Sequence, residues 1–466
     1  MPMSEYTPHS AAACFAGLAA VRQRLAEINS RREAGIADLF GKIKEVVVVA
    51  SSSRGGSSIF TEILRRSPDL LHCKGEITPF LNLAGLNRTG GASDSDRLPA
   101  LAAEPARPGQ GRKLTILEHE MALDLGVNRP VDLREAGNLE RFGLDLLWRL
   151  TCQWPKIEID ADFLAACLAK TMAELQSRHG WQPVAFDDPQ LFHIVLLRHL
   201  RKRYSKINPW YYDLAPGLIR RHCPEAHLDH APPGELVLEE PPFVTIGPTR
   251  PVPTGLLGRS ILVLKTPGNV YRLDFFRKLF PKARLRILHL VRHPAAAING
   301  LVDGWLHHCF FSQQVEETLR IGGYSDRFPE WARTWWKYDL PPGWRGWTEK
   351  PLVEVCGFQW RAAHRATLGY LEQGGVEHLR VRFEEALGSP GERQRTFAAV
   401  GTWLGVDPAP LVSAALGDLP PVMATCRPRM NRWFKKAPLL RPVLERDDIR
   451  ELTESLGFRG IDDNDA

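Results

Sequence analysis

Hydrophobic positions along the chain follow two periods, and the alternation between them predicts the fold class. Short, mostly apolar runs occupy 45–50 (EVVVVA), 260–265 (SILVLK) and 284–291 (RLRILHLV), and the first is rich in β-branched residues. Runs of this kind are typical of strands that are buried on both faces of a parallel sheet. Each run is followed by apolar residues at helical spacing, as over 57–66. Strand–helix alternation at both ends of the chain therefore predicts an α/β protein, with a parallel sheet flanked by helices.

The long stretch between the two regions of alternation has a different pattern. Apolar spacing predicts mostly helices over 130–205. The composition of 85–112 predicts a mobile surface loop, and the aromatic residues and prolines of 205–258 predict loops and a hairpin. We therefore expect a large, mainly helical insertion in the core. The predicted parts are N-terminal helices (1–44), the core (45–80 and 259–440), the insertion (81–258), and a C-terminal helix and tail (441–466).

Composition narrows the class of ligand. The 466 residues are 44% hydrophobic and carry a formal net charge of +6. The basic residues are dispersed, which argues against a nucleic-acid partner and favours one cleft for an anionic small molecule. We expect neither a membrane span nor a signal peptide, because no apolar run has the necessary length or flanks. The eight cysteines include no CxxC pair, so we expect reduced thiols and a cytoplasmic protein.

A loop of small residues, 51–58 (SSSRGGSS), connects the first predicted strand to a helix. Gly55 and Gly56 allow the backbone to approach a ligand, and N–H groups at the start of a helix bind oxyanions. A P-loop-type site is therefore predicted. The lysine of the Walker A pattern is absent, because Ser57 stands in its place. A nucleotide kinase or related NTPase is thus the less favoured alternative.

Other segments follow this loop in a recognisable order. They are 262–294 (LVLKTPGNVYRLDFFRKLFPKARLRILHLVRHP), 287–305 (ILHLVRHPAAAINGLVDGW), 378–406 (HLRVRFEEALGSP to TFAAVGTWLGV) and 427–438 (RPRMNRWFKKAP). Together with the loop, they resemble sulfotransferases that use 3′-phosphoadenosine 5′-phosphosulfate (PAPS), in particular the bacterial and tyrosylprotein branch. The resemblance covers 45–80 and 259–440, and the insertion has no counterpart in it.

The resemblance implies which residues hold PAPS. Arg292 corresponds to the family's 3′-phosphate contact, and Gly300 stands where the family usually has a serine, so Asn299 beside it is the candidate second donor. The complete set implied is Arg54, Gly55, Gly56, Ser57 and Ser58 in the loop, Arg292, Asn299 and Gly300 in the second segment, and Arg432, Lys435 and Lys436 near the end.

The resemblance also implies the chemistry, which is transfer of a sulfuryl group from PAPS to a hydroxyl of a small molecule or glycan. Arg54 and Lys265 are the implied cationic residues, and no metal is required. Small cytosolic members have a histidine base two residues after the lysine, but Pro267 stands there. Glu76, in a Gly-Glu segment after the first helix, is the expected base. The alternative bases are His293, His307 and His308.

Two further stretches allow both a functional and a structural interpretation. The segment 221–230 (RHCPEAHLDH) carries potential zinc ligands, but its spacing fits no zinc pattern, so no metal site is predicted. The Trp-rich stretch 331–347 forms either an aromatic wall for the acceptor or core packing.

A non-catalytic protein that keeps the PAPS-binding fold is the alternative function outside the enzyme classes. The unmatched insertion is the expected acceptor-binding region.

Overall fold

The computed structural model describes residues 11–32, 36, 38–87, 94–98, 110–127, 131–308, 310, 313–419, 421–426, 429 and 431–458. Its strands are β1 (Glu45–Ala50), β2 (Leu70–His72), β3 (Gly126–Val127), β4 (Arg250–Pro251), β5 (Ile261–Leu264), β6 (Arg284–Val291), β7 (Gln313–Gln314), β8 (Trp335–Trp336) and β9 (Glu377–Arg382). Seven of them form one sheet in the order β4-β3-β2-β5-β1-β6-β9, and β7 pairs with β8 separately.

The centre of the sheet is parallel. β1 lies between β5 and β6, with Val47 opposite Val263 on one side and opposite Arg286 on the other. β2 and β9 extend the parallel part outward, and β3 and β4 add an antiparallel edge. β2 and β5 therefore lie on one side of β1, and β6 and β9 lie on the other, so the strand order reverses at β1. In open α/β sheets, ligands bind beyond the carboxyl ends of the strands at such a switch point.

Helices cover both faces of the sheet, as the sequence predicted. The α-helices are α1 (Ala11–Asn29), α2 (Leu39–Lys42), α3 (Ser57–Leu64), α4 (Thr78–Leu83), α5 (Gln110–Asp124), α6 (Ala136–Gln153), α7 (Ala161–His179), α8 (Pro189–Arg201), α9 (Pro216–His222), α10 (Leu273–Leu279), α11 (Pro294–Trp305), α12 (Leu352–Glu372), α13 (Phe383–Ala386), α14 (Pro390–Leu404), α15 (Ala409–Leu416), α16 (Ala437–Leu444) and α17 (Asp447–Ser455). The predicted α/β class, with a mainly helical insertion, is confirmed. Over the described residues, no helix has both the length and the apolar character needed to cross a bilayer.

The unbroken apolar run of β1 is explained by burial on both faces. Val46, Val48 and Ala50 belong to one hydrophobic cluster, which also contains the insertion helices. Val47 and Val49 point to the opposite face and pack in a second cluster with α3 and α14. Side chains alternate across a strand, so a strand between two helical layers needs an apolar residue at every position. Each buried valine contributes roughly 1.5–3 kcal/mol by removal of apolar surface from water.

The insertion matches its prediction in part. Helices α6, α7 and α8 occupy the stretch 130–205, as predicted. Within 205–258 the structure has α9, the short strand β4 and an isolated bridge between Tyr212 and Phe243, and it has no hairpin over these described residues. Most of the predicted loop 85–112 lies outside the described residues. Of its described residues, 110–112 belong to α5, and 94–98 are anchored because buried Asp96 pairs with Arg272 at 3.0 Å.

Candidate active site

The loop after β1 depends on glycine at two positions. Gly56 has φ of 91°, in the left-handed region, and a Cβ there would lie 2.0 Å from the Phe383 ring. A Cβ on Gly55 would lie 2.1 Å from the Ser51 hydroxyl oxygen. Arg54 also has a positive φ, of 62°. The loop therefore folds tightly against β9 and α13 and leads into the N-terminus of α3 at Ser57, a position suited to an anion.

This loop opens on a cavity of about 620 Å³. Cationic side chains from distant parts of the chain line it, and they are Arg54, Lys265, Arg272, Arg292, Arg393, Arg429 and Arg432. Carboxylates line it too, and they are Glu76, Asp96, Glu239, Glu240 and Asp339. Arg54 belongs to the loop and the other arginines come from the second half of the chain, whereas Glu239 and Glu240 belong to the insertion. The fold thus brings the predicted donor residues and part of the insertion to one space.

Arg54 and Arg292 meet at the loop. Nη1 of Arg292 donates a hydrogen bond to the backbone oxygen of Arg54 at 3.0 Å, and its guanidinium lies over the Phe383 ring. Burial lowers the pKa of Arg292 to about 10, while Glu384 opposes this change. Because that value is still well above 7, Arg292 is a cation at neutral pH. Two guanidinium groups are therefore held beside one loop.

Arg54 has its own supports. Its guanidinium stacks on Phe310 at 4.7 Å, and Nη1 donates to the carbonyl oxygen of Met423 at 2.6 Å. The N–H of Met423 in turn donates to Asp213, a residue of the insertion, at 2.8 Å. The segment 421–426 therefore ties the loop arginine to the insertion across the cavity.

Glu76 and Lys265 form a close pair in the cavity. Nζ of Lys265 donates to Oε1 of Glu76 at 2.5 Å. Glu76 follows β2 and Lys265 follows β5, and these strands are parallel neighbours, so their carboxyl ends place both side chains at one edge of the sheet. The lysine side chain is 11% exposed and the glutamate 32% exposed. A potential base and a potential proton donor thus lie side by side.

A buried ion network fixes the backbone beside Glu76. Its members are Arg32, Lys74, Asp124, Asp145, Arg149 and Glu239. The backbone N–H of Lys74 donates to the carboxylate of Asp124 at 2.7 Å, and Nζ of Lys74 pairs with Asp145 at 3.1 Å. Burial opposes ionisation of Asp145, yet Lys74 and Arg32 hold its pKa below the ordinary value. The network is continuous from Arg32, just after α1, to Glu239 in the cavity wall, so it connects the insertion helices to the backbone near the predicted base.

Buried polar atoms without partners concentrate around the loop. Within the described residues, these atoms include Oγ of Ser51, Oγ of Ser52, Nε of Arg54, Nε of Arg292, Oδ1 of Asn299, the hydroxyl of Tyr338, Oε2 of Glu384 and Oγ1 of Thr425. An unsatisfied buried polar group costs about 1–3 kcal/mol, so native structures seldom keep several together without a purpose. Arg54, Arg292, Tyr338 and Thr425 also line the cavity. Their grouping indicates a binding site for a polar ligand.

Some predicted cofactor residues lie behind the cavity wall. Asn299 is buried on α11, and Gly300 backs the loop, since a Cβ there would lie 3.2 Å from Cβ of Arg54. Arg432 lines the cavity and, like Lys436, pairs with Asp303 of α11. Lys435 is exposed. Gly55, Asn299, Gly300, Lys435 and Lys436 do not line the cavity over the described residues, and their predicted contacts with PAPS stay predictions.

The three alternative histidine bases have other surroundings. His293 caps α11 by accepting the N–H of Ala295, and its ring stacks on Trp433. Burial lowers the pKa of His307 to about 3 and that of His308 to about 4, with the two rings 4.0 Å apart. None of the three lines the cavity as the structure describes it. The geometry thus favours Glu76 as the base.

The structure also shows the surroundings of the potential zinc ligands in 221–230 and of the tryptophans in 331–347. Over the described residues, which include all of 221–230, no group of three or more His, Cys, Asp or Glu side chains is arranged to hold a metal ion. Trp335, Trp336 and Trp344 are fully buried and pack with Trp305 in a third hydrophobic cluster. The tryptophans of 331–347 pack the core. The contribution of that stretch to the cavity comes from Tyr338 and Asp339.

Several cavity residues escaped the sequence analysis. Asp339 accepts the hydroxyl of Ser53 at 2.5 Å and that of Tyr271 at 2.9 Å. Tyr338, with φ of 64°, places its hydroxyl where a Cβ on Gly304 would be only 1.5 Å away. No local pattern marks these residues, because their partners lie far away in the chain. A lone Asp in a Trp-rich stretch gives no sequence signal of its own.

No family model matches the chain, and no curated protein matches it. Among solved structures, the chain is similar to the sulfotransferase domain of the Synechococcus PCC 7002 olefin synthase. The two are 13% identical, the match covers 90% of this chain and 96% of that chain, and the TM-score is 0.31. At this TM-score, the function of the chain must be inferred from its own residues.

Proposed function

We propose that this protein is a sulfotransferase that moves a sulfuryl group from PAPS to a hydroxyl of a small-molecule or glycan acceptor. One observation carries the proposal. The guanidinium groups of Arg54 and Arg292, joined through the Arg54 carbonyl, face the same cavity as the Lys265–Glu76 pair. A doubly anionic adenosine ligand needs cations for two separated phosphates, and a transfer reaction needs a base beside them.

The donor is held by residues of the loop and by Arg292. The N–H groups at the start of α3, with Ser57, Ser58 and Arg54, bind the 5′-phosphosulfate. Arg292 binds the 3′-phosphate, which distinguishes PAPS from ordinary adenosine nucleotides. The unpartnered Nε atoms of Arg54 and Arg292 provide donors that no described protein group uses.

The transfer itself is an in-line displacement. The acceptor oxygen forms a bond to sulfur while the bond from sulfur to the bridging oxygen of the nucleotide breaks. Glu76 takes the proton of the acceptor hydroxyl, and Arg54 and Lys265 stabilise the negative charge on the leaving nucleotide. Because Lys265 lies 2.5 Å from Glu76, it also keeps that carboxylate oriented.

The acceptor lies on the side of the cavity that the insertion contributes. Glu239, Glu240, Pro241, Pro242 and Val244 line that side, together with Thr78 and Pro79. This supports the proposal that 81–258 selects the acceptor. Incubation of the protein with labelled PAPS and mixtures of hydroxylic acceptors tests the activity, and labelling of any acceptor supports it.

Binding of the product nucleotide, 3′-phosphoadenosine 5′-phosphate (PAP), tests the donor site directly. The variant Arg54→Ala removes a charge-assisted contact, so calorimetry should show PAP affinity lowered by about 10- to 100-fold. The matched control is Arg450→Ala, an exposed arginine of α17 that pairs with Asp447, and its affinity should equal that of the wild type. Absence of PAP binding by the wild-type protein would overturn the proposal.

A further inference from the structure

Asp339 links a part of the chain with no local motif to the anion loop. Its Oδ1 accepts the hydroxyl of Ser53, the residue before Arg54, at 2.5 Å. Its Oδ2 accepts the hydroxyl of Tyr271 at 2.9 Å. Asp339 and Ser53 both line the cavity, and the residue Asp339 is only 5% exposed. The carboxyl group therefore acts on the loop through one serine hydroxyl.

The position of Asp339 is fixed by its backbone. Its carbonyl oxygen accepts hydrogen bonds from Nε1 of Trp336 and Nε2 of Gln359, both at 2.9 Å. The next residue, Leu340, exchanges hydrogen bonds with Asp96 in both directions at 2.8 Å. These contacts hold the backbone in place and so keep the carboxyl group within hydrogen-bond reach of Ser53 and Tyr271.

The protonation state of Asp339 decides whether the Ser53 hydroxyl can donate a hydrogen bond to a ligand. An ionised carboxylate only accepts hydrogen bonds, so the single O–H of Ser53 points at Asp339 and only a lone pair is left for the cavity. A protonated carboxyl group has an O–H of its own and can donate to Ser53. The Ser53 hydroxyl then becomes free to donate to an anion beside Arg54. One proton, taken from solvent by Asp339, thus changes Ser53 from an acceptor to a donor toward the ligand.

We propose that Asp339 is a positioning residue that acts through Ser53, so that the loop takes up a proton when it binds its anionic ligand. This inference rests on the proposed function only for the identity of the anion. The predicted base Glu76 and the cations of the site have separate roles. No metal or further reactant is needed, because the step is a single protonation of a carboxylate coupled to binding.

The electrostatic surroundings place this protonation in a useful range. Burial and the charge of Asp96 raise the pKa of Asp339, the hydrogen bonds from Ser53 and Tyr271 lower it, and together they raise the pKa to about 6. Asp96 is itself paired with Arg272, and Tyr338 adjoins on the chain. Because the Ser53 hydroxyl can donate to an anion at the loop only when Asp339 is protonated, binding favours the protonated form. Affinity should therefore be highest below pH 6 and fall as the pH rises through that value.

The test is PAP binding by calorimetry between pH 5.5 and pH 7.5. Wild-type affinity should fall on the order of tenfold more than that of Asp339→Asn, because the asparagine amide donates to Ser53 at every pH. The phosphates of PAP titrate in the same range, but they do so equally with both proteins. Buffers of different ionisation enthalpy should show proton uptake by the wild type that Asp339→Asn lacks.

Two other variants complete the test. Ser53→Ala removes the hydroxyl that carries the effect, so it should lose the extra pH dependence too, and it serves if Asp339→Asn does not fold. Glu62→Gln, a carboxylate on the partly exposed face of α3, should keep the wild-type dependence. Equal pH dependence in the wild type, Asp339→Asn and Ser53→Ala would refute the role of Asp339 and leave the proposed function standing. Failure of PAP to bind at any pH would refute both.

Discussion

At the scale of single residues, Glu76 has the most specific assigned role. It is a partly exposed carboxylate that faces the cavity and is held by Lys265 at 2.5 Å. Replacement by glutamine keeps its shape and removes its ability to take a proton. We expect Glu76→Gln to lower kcat by about 10²- to 10⁴-fold, the usual contribution of a general base.

The readout for this variant separates chemistry from binding. PAP affinity should stay within a few-fold of the wild type, because Glu76 does not contact the donor phosphates in the proposed arrangement. Undiminished kcat in Glu76→Gln would show that another group takes the proton. His307 and His308 are poor replacements, since burial lowers the pKa of both.

Arg292 provides a second prediction at this scale, because its proposed role is to bind the 3′-phosphate of the ligand. Arg292→Ala should weaken PAP binding by about 10- to 100-fold and leave adenosine 5′-monophosphate, which has no 3′-phosphate, almost unaffected. Calorimetry with the two nucleotides measures the difference. An equal loss for both ligands would assign Arg292 to support of the Arg54 carbonyl instead.

The sequence revealed residues with local patterns and missed those with distant partners. Arg54, Gly56 and Ser57 lie in one short loop whose composition marks it. Asp339 reaches the same loop through Ser53, which is far away in the chain. Only the fold brings the two together, so no spacing rule could have found that contact.

At the scale of elements, the buried ion network decides how firmly the insertion is attached. Asp145 on α6 pairs with both Arg32 and Lys74, and all three side chains are at most 2% exposed. Asp145→Ala leaves two buried cations without this partner. We expect a loss of about 3–5 kcal/mol in the free energy of unfolding, measured by urea denaturation.

The same helix provides the control for this variant. Glu140 pairs with Arg31, with side chains 65% and 54% exposed. Glu140→Ala should change stability by less than about 1 kcal/mol, because solvent screens exposed pairs. If both variants lost the same stability, burial would not be the cause.

The strands predicted from the sequence agree with the structure where burial on both faces gives a recognisable apolar pattern. β1 and β5 are covered on two faces and read as nearly continuous apolar runs, and β6 is buried over its last six residues, which are mostly apolar. β3 and β4 have two residues each, and β4 is exposed. Such short edge strands are formed by tertiary contacts, and no periodicity can be read from two positions. The hairpin predicted in 205–258 was wrong, because Tyr212 and Phe243 form only an isolated parallel bridge and their rings pack in the core.

At the scale of the whole molecule, one ligand should bind several distant parts of the chain at once. The cations of the cavity follow β1, β5 and β6, precede α10, lie on α14, and follow α15. PAP at about 100 times its Kd should therefore stabilise the folded protein by about 2.7 kcal/mol. Thermal denaturation measures this. ATP with Mg²⁺ should stabilise much less, and the reverse order would favour the NTPase alternative.

The contact between α11 and Tyr338 restricts how related chains can diverge. Gly304 leaves the space that the tyrosine hydroxyl fills, since a Cβ would lie 1.5 Å from it. A homologue with any side chain at position 304 cannot keep a tyrosine ring at position 338 in this arrangement. The pair should accordingly covary across evolution, and the relatives that keep glycine with tyrosine are those expected to retain this shape of cavity.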